Sequence, residues 1–216
     1  MKSLIKNYLA KLFPKLIAYN DLIKNRNSYL YATGWIQSLK ESKPIDKDGN
    51  PIPWMNFPVV RLLDERLKDD LHVFEYGSGY STYFYAKRVM TVTSVEYDEY
   101  WFNLINSDMP DNVTLIYKAN DVDGEYCRII GTTNEQYDVV IIDGRDRVNC
   151  VKQSISTLSP RGVILLDDSQ LARYREGIDF AKGLGFRALD IEGLKARGWG
   201  IDRSTIFYRT NNCLGI

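Results

Sequence analysis

From residue 71 onward, short β-prone runs alternate with helix-prone runs, and this alternation constrains the fold more than any other feature. LHVFEY, TVTSVEY, NVTLIY, YDVVIIDG and GVILLDD read as the first five strands. STYFYAKRV, DEYWFNLINSDM, NCVKQSISTLS and YREGIDFAKGLG read as helices. Strands that alternate with helices form a parallel sheet covered on both faces. The runs VVIID and VILLDD suit central strands buried on both sides. FRALDI and STIFYR read as the sixth and seventh strands, joined by the loop EGLKARGWGID with no helix between them, so an antiparallel pairing is open to them. The expected fold class is α/β: a doubly wound, seven-stranded, mostly parallel sheet with an antiparallel last strand, spanning residues 71–216. A helical amino-terminal extension, residues 1–70, precedes it and is expected to act as a substrate cap.

The extension opens with MKSLIKNYLAKLFPKLI, whose apolar residues recur at helical spacing with lysines between them. Pro14 should kink or divide this helix. Residues 1–26 carry six basic residues and one acid, a local charge of +5 in a chain whose overall formal charge is zero. Lysines interrupt each candidate apolar core, so the segment is not read as a signal peptide. Two readings stay open for residues 1–27. One is a helix lying on an anionic membrane surface. The other is an arm packed on its own domain or on a second subunit of a homodimer. A neutral chain lacks the footprint of a general nucleic-acid binder. The sequence holds no run of about 18 apolar residues, so no membrane span is expected. The three scattered cysteines fit a reducing compartment and exclude a disulfide scaffold or a cysteine zinc site. A cytoplasmic location is therefore expected, either free or peripheral to the inner face of the membrane. The single histidine, His72, excludes machinery that needs two and opens the first strand, where a structural role is expected. Cys150 is read as helix packing.

The sharpest motif is VFEYGSGYST, residues 73–82, where the first strand meets a helix. Gly77 and Gly79 let the backbone turn tightly and approach a ligand. Glu75 would be an unwelcome charge beside a pyrophosphate, and Thr82 stands where a dinucleotide fold wants a third glycine. The site therefore favours a cationic ligand. Glu96 ends the second strand, 17 residues after Gly79, where an acid can accept both hydroxyls of a ribose. This acid–GxG–acid arrangement resembles the class I S-adenosylmethionine-dependent methyltransferases over roughly residues 71–210. The resemblance implies that Gly77, Ser78 and Gly79 line the methionine end of the cofactor, with Glu75 near its ammonium group. It places the ribose on Glu96 and the adenine beside Asn120 and Asp121, with Asp143 next to the methyl donor.

Two acidic strand ends follow. IDGRDRVNC, residues 142–150, resembles a bacterial group of such enzymes often associated with glycans or the envelope. Asp143, Arg145, Asp146 and Arg147 fall in one turn, which suits either catalysis or an internal salt-bridge network. GVILLDDS, residues 162–169, ends in Asp167, Asp168 and Ser169. The metal-dependent O-methyltransferases of the catechol and caffeoyl-CoA types carry Asp and Asp-Asn at these places. The resemblance thus implies a Mg²⁺ site of Asp143, Asp168 and Ser169, with Ser as a departure from Asn. Asp146 stands where the catechol type has a lysine. With no usable histidine, Asp143, Asp146 and Asp168 are the candidate bases. The acceptor is expected to be a hydroxyl of a small molecule or glycan, and Trp54 and Trp199 are candidates to contact it. The alternatives are a nicotinamide-dependent oxidoreductase and a non-catalytic domain that binds S-adenosylmethionine or a partner protein.

Overall fold

Side chains along a strand alternate between the two faces of a sheet, and the central strands of this chain are apolar on both. Val73, Val139, Ile141, Val163 and Leu165 are buried on one face. Their neighbours Phe74, Val140, Ile142, Ile164 and Leu166 are buried on the other. The computed structural model describes residues 10–216. The sheet is β1 (His72–Tyr76), β2 (Thr91–Glu96), β3 (Val113–Tyr117), β4 (Tyr137–Ile142), β5 (Leu158–Leu166), β6 (Arg187–Gly193) and β7 (Asp202–Tyr208). Their order is β3-β2-β1-β4-β5-β7-β6. Strands β1 to β5 run parallel, and β7 lies antiparallel to both β5 and β6. This is the expected sheet, with β7 as the strand that reverses. Strand order turns back between β1 and β4, and the carboxyl ends of that pair open the crevice where α/β sheets bind ligands.

In the extension, α1 (Pro14–Tyr19) runs into a π-helical turn at Asn20–Lys24, followed by α2 (Tyr29–Ala32), α3 (Trp35–Glu41) and α4 (Phe57–Arg66). Pro14 opens α1, where a missing N–H costs nothing. Asn56 caps α4 by accepting the Val59 N–H at 3.0 Å, and its amide donates to Ile191 O and Ser204 Oγ. One buried side chain thereby ties the extension to the β6–β7 hairpin. Trp35, Phe57, Val59 and Leu63 share the core of the Val73 face. Within the sheet region, α5 (Tyr80–Ala86), α6 (Glu99–Asn106), α7 (Glu125–Arg128), α8 (Arg147–Ser154) and α9 (Arg175–Gly183) link the strands. His72 is fixed at the far end of β1, with Nδ1 2.8 Å from Thr91 Oγ1. Cys127, Cys150 and Cys213 are buried as free thiols. Among the described residues, no helix is long and apolar enough to cross a membrane.

Candidate active site

The loop after β1 and the loop after β4 meet glycine to glycine. Gly77 has φ of 96°, and a Cβ there would lie 3.0 Å from the backbone of Gly144. A Cβ on Gly144 would collide with the Tyr126 hydroxyl and crowd Gly77 in return. Both positions therefore require glycine. Gly79 is extended, and a Cβ there would meet only Trp101 at 3.8 Å. Its lack of a side chain is not demanded by the protein's own packing, so it leaves room for something else. Gly144 was not singled out from sequence, because the partner that forces it lies some 67 residues earlier in the chain.

Glu75 lies beneath this loop. It is fully buried and accepts hydroxyl hydrogens from Ser81, Thr82 (2.6 Å) and Ser94 (2.7 Å). Thr82 Oγ1 in turn accepts the Gly79 N–H at 3.0 Å. The residue in place of a third glycine is thus the strut between the acid and the loop. Burial pushes the Glu75 carboxyl up to about 7, against the pull of the three hydroxyls. This differs from the expected contact with a ligand ammonium group: Glu75 supports the loop from below and does not line the cleft.

Glu96 does line the cleft. Its Oε2 accepts the Ser78 N–H at 3.0 Å, and Oε1 accepts the Tyr97 and Asp98 N–H groups at 2.8 Å each. Burial raises its pKa, and these three backbone donors oppose the rise. Trp101 closes the same corner by donating its indole N–H to Ser78 O at 3.0 Å. Trp101 was not anticipated. Asp98, which caps α6 by accepting the Trp101 N–H, starts the helix at the register that turns the indole onto the loop.

These parts wall a cavity of about 790 Å³, within the usual range for small-molecule sites. Gly77, Ser78, Gly79 and Glu96 form one wall, Asp143, Arg145 and Arg147 another, and Lys43 and Trp54 from the extension close the mouth. Arg197 stacks 5.4 Å over the Trp54 ring. Trp199 is elsewhere: it is 77 % exposed and packs edge-on against Trp35. Asn120 is exposed and outside the cavity wall. Asp121 is committed to the start of α7, where it accepts the Glu125 and Tyr126 N–H groups.

The acidic strand ends converge around Arg147. Its Nε donates to Gly144 O, Nη1 to Asp167 O and Asp168 Oδ2, and Nη2 to Asp143 O and Oδ1. All five guanidinium donors are spent. Lys195, from the β6–β7 loop, donates to Asp168 Oδ1 at 2.8 Å. Asp168 therefore has a cation on each oxygen. Burial works against its charge, but Lys195 and Arg147 hold it below the usual carboxylate range. Asp143 is pushed up to about 6, because burial outweighs the attraction of Arg147. Asp167 is pushed well above its ordinary value by burial and by the charges of Asp143 and Asp168.

Asp143, Asp167 and Asp168 each bring an oxygen within 4.8 Å of the others, the kind of grouping that can hold a cation. The residues present do not fit the Mg²⁺ site expected from sequence. Arg147 and Lys195 already occupy the oxygens of Asp168 and Oδ1 of Asp143. Ser169 is turned away, donating to Arg203 O and accepting from Thr205 Oγ1. Two built-in cations stand where the divalent ion was expected. Asp146 is also displaced from its expected role. It takes a left-handed φ of 46°, and its carboxylate turns onto the Asp123 N–H and the Asn149 amide. Of the three candidate bases, Asp143 alone lines the cavity.

No protein-family model and no curated protein sequence matches the chain. Solved structures do. A precorrin-6Y C5,15-methyltransferase from Geobacter metallireducens is 16 % identical, covering 71 % of this chain and 88 % of that one, with a TM-score of 0.52. An rRNA methylase from Streptococcus thermophilus is 12 % identical, covering 70 % and 96 %, with a TM-score of 0.51. A candidate methyltransferase from Streptococcus mutans, solved with SAH, is 14 % identical, covering 69 % and 94 %, with a TM-score of 0.51. The fold is the one these methyltransferases share. A Thermotoga maritima spermidine synthase is similar too, at 15 % identity over 67 % of this chain and 55 % of that one, with a TM-score of 0.51. The fold alone does not fix the reaction.

Proposed function

We propose that this protein is an S-adenosylmethionine-dependent methyltransferase whose acceptor is a hydroxyl of a small molecule or glycan. The observation that carries the reading is the pairing of Glu96 with the Gly77–Gly79 loop on one wall of a single cavity, with Asp143 on the other. Glu96 is held rigid by three N–H donors and keeps lone pairs for the two hydroxyls of a ribose. The extended backbone at Gly79 leaves room for the methionine portion. Bound there, the cofactor would supply an electrophilic methyl group on a sulfonium, so that the acceptor oxygen would form the new C–O bond as the C–S bond breaks and sulfur keeps the electron pair. Asp143 takes the acceptor proton. Arg147 holds its Oδ1, so the carboxylate is oriented, and a pKa of about 6 leaves it mostly ionised yet basic near neutral pH. The rest of the rate comes from alignment. Trp54 presents an aromatic face at the mouth, which suits a sugar ring, and the IDGRDRVNC resemblance points the same way.

The test is calorimetry with S-adenosylhomocysteine and with NAD, on the native chain and on Glu96→Gln. Binding of the first alone is expected, weakened in the variant by about 1–3 kcal/mol, the scale of charge-assisted hydrogen bonds. Binding of NAD alone would give the site to the oxidoreductase reading. Turnover of labelled S-adenosylmethionine by the chain separates an enzyme from a non-catalytic binder.

A further inference from the structure

Leu12, Phe13, Leu16, Tyr19 and Leu22 are each 49–57 % exposed. Leu12 and Phe13 lie just before α1, where the helix is interrupted, Leu16 and Tyr19 lie on it, and Leu22 lies on the π-turn that continues it. Ile23, by contrast, turns inward and packs against the core. The arm thus touches the domain through Ile23, while these five apolar side chains along it are about half exposed. Packing on its own domain, the plainest reading of such a helix, does not cover them among the described residues. Single exposed apolar residues need no explanation, but a contiguous stripe marks a contact surface.

Charge decides what the surface fits. Residues 10–26 contain Lys11, Lys15, Lys24 and Arg26 against one acid, Asp21. A twofold contact between copies sets like surfaces against each other and would bring these cations together with little acid to offset them. An anionic lipid surface offers the opposite charge and an apolar layer at the same depth. The outward stripe covers only Leu12–Leu22, far short of the roughly 20 residues needed to cross a bilayer. We infer that residues 10–26 form a peripheral anchor that lies in the surface of an anionic bilayer. The inference does not depend on the chemistry of the cleft.

The experiment is co-sedimentation of the full chain with two kinds of vesicle, phosphatidylcholine alone and phosphatidylcholine mixed with phosphatidylglycerol. Net basic charge near an anionic surface predicts a preference of about tenfold or more for the mixed vesicles. That preference should shrink as salt shortens the Debye length from about 10 Å at 0.1 M to about 3 Å at 1 M. Leu16→Gln with Leu22→Gln should abolish binding to both vesicles. Lys11→Gln with Lys15→Gln, which leaves Lys24 and Arg26, should reduce that preference several-fold. All four side chains are exposed, so thermal melting should not change, and the melt checks this. Binding to neither vesicle, or binding that both double variants retain, overturns the inference. A concentration-dependent dimer in light scattering, lost in Leu16→Gln with Leu22→Gln and unaffected by lipid, would give the stripe to a second copy.

Discussion

Replacing Glu75 by glutamine separates a structural carboxyl from a ligand-binding one. The carboxyl titrates near 4.5 when exposed and is raised to about 7 in the folded protein. Between those values the folded state holds a proton that the unfolded state has released, so stability falls as pH rises. The contribution is fully present below the unfolded value and is lost as pH climbs through the folded one. A difference of some 2.5 units corresponds to about 3 kcal/mol at about 1.4 kcal/mol per unit. Glu75→Gln is neutral throughout and does not carry this term. Against that, Ser81, Thr82 and Ser94 all donate to Glu75, whereas an amide offers one acceptor oxygen and two donors. One hydroxyl must turn, at about 1–2 kcal/mol. The variant should therefore be less stable than the native chain near pH 5 and equal or more stable near pH 8. Urea unfolding followed by tryptophan fluorescence at several pH values reads this directly. Asp143 and Asp167 also have raised pKa values and are common to both chains, and the Asp143 charge adds to the rise at Glu75, so the difference between the curves reads Glu75 together with that coupling. Curves that run parallel from pH 5 to 8 would refute the argument, because they would mean that Glu75 is not held protonated under the loop.

Three further outcomes are expected. Gly77→Ala should cost about 1–3 kcal/mol of stability, since its φ is 96° and Gly144 stands against it, while Gly79→Ala should leave denaturant stability unchanged and weaken S-adenosylhomocysteine binding in calorimetry. Arg147→Met should destabilise the fold by about 3–5 kcal/mol by leaving Asp143 buried without its paired cation, while Lys195 still holds Asp168, and native turnover should persist in excess EDTA, with activity that chelator stops and Mg²⁺ restores counting against the assignment of the cations. Trp54→Ala should raise the acceptor KM with cofactor affinity intact, and Trp199→Ala should not, because only Trp54 lines the cavity.

The sheet was legible because its signal is local: each strand is a short apolar run and each helix follows it closely. The Gly77–Gly79 loop and Glu96 were legible for the same reason, as they terminate strands that sequence alone locates. The rest depends on which way side chains turn. Glu75 sits one residue before the end of β1, and the pleat sends it under the loop toward Ser81 and Ser94. Asp146 adopts a left-handed backbone that swings its carboxylate out of the cleft, and no residue type in IDGRDRVNC announces that. Arg147 reads locally as a partner for Asp143, but its bridge to Asp168 spans 21 residues, and Lys195 arrives from 27 residues further on. Only the folded chain brings both cations onto the carboxylates of the expected metal site. Asp121 carried the right residue type for an adenine contact and spends it on two N–H groups of α7.

The position of β7 bears on how the chain is made. Among the described residues β6 pairs with no strand but β7, and β7 slots between β5 and β6. A nascent chain folding from its amino terminus can assemble β1 to β5 as each emerges, yet it must leave β5 open and hold Arg187–Gly193 unpaired until Asp202–Tyr208 has been synthesised. In that interval Ile164, Leu165 and Leu166, fully buried in the finished sheet, border an unpaired strand edge. Such an edge is a template for another chain. Translation stalled between β6 and β7, or a chain cut there, would yield a species with an intact Gly77–Gly79 loop and a sticky flank. The hairpin thus guards the sheet against its own copies, and its arrival time sets how long the β5 edge stays open during synthesis.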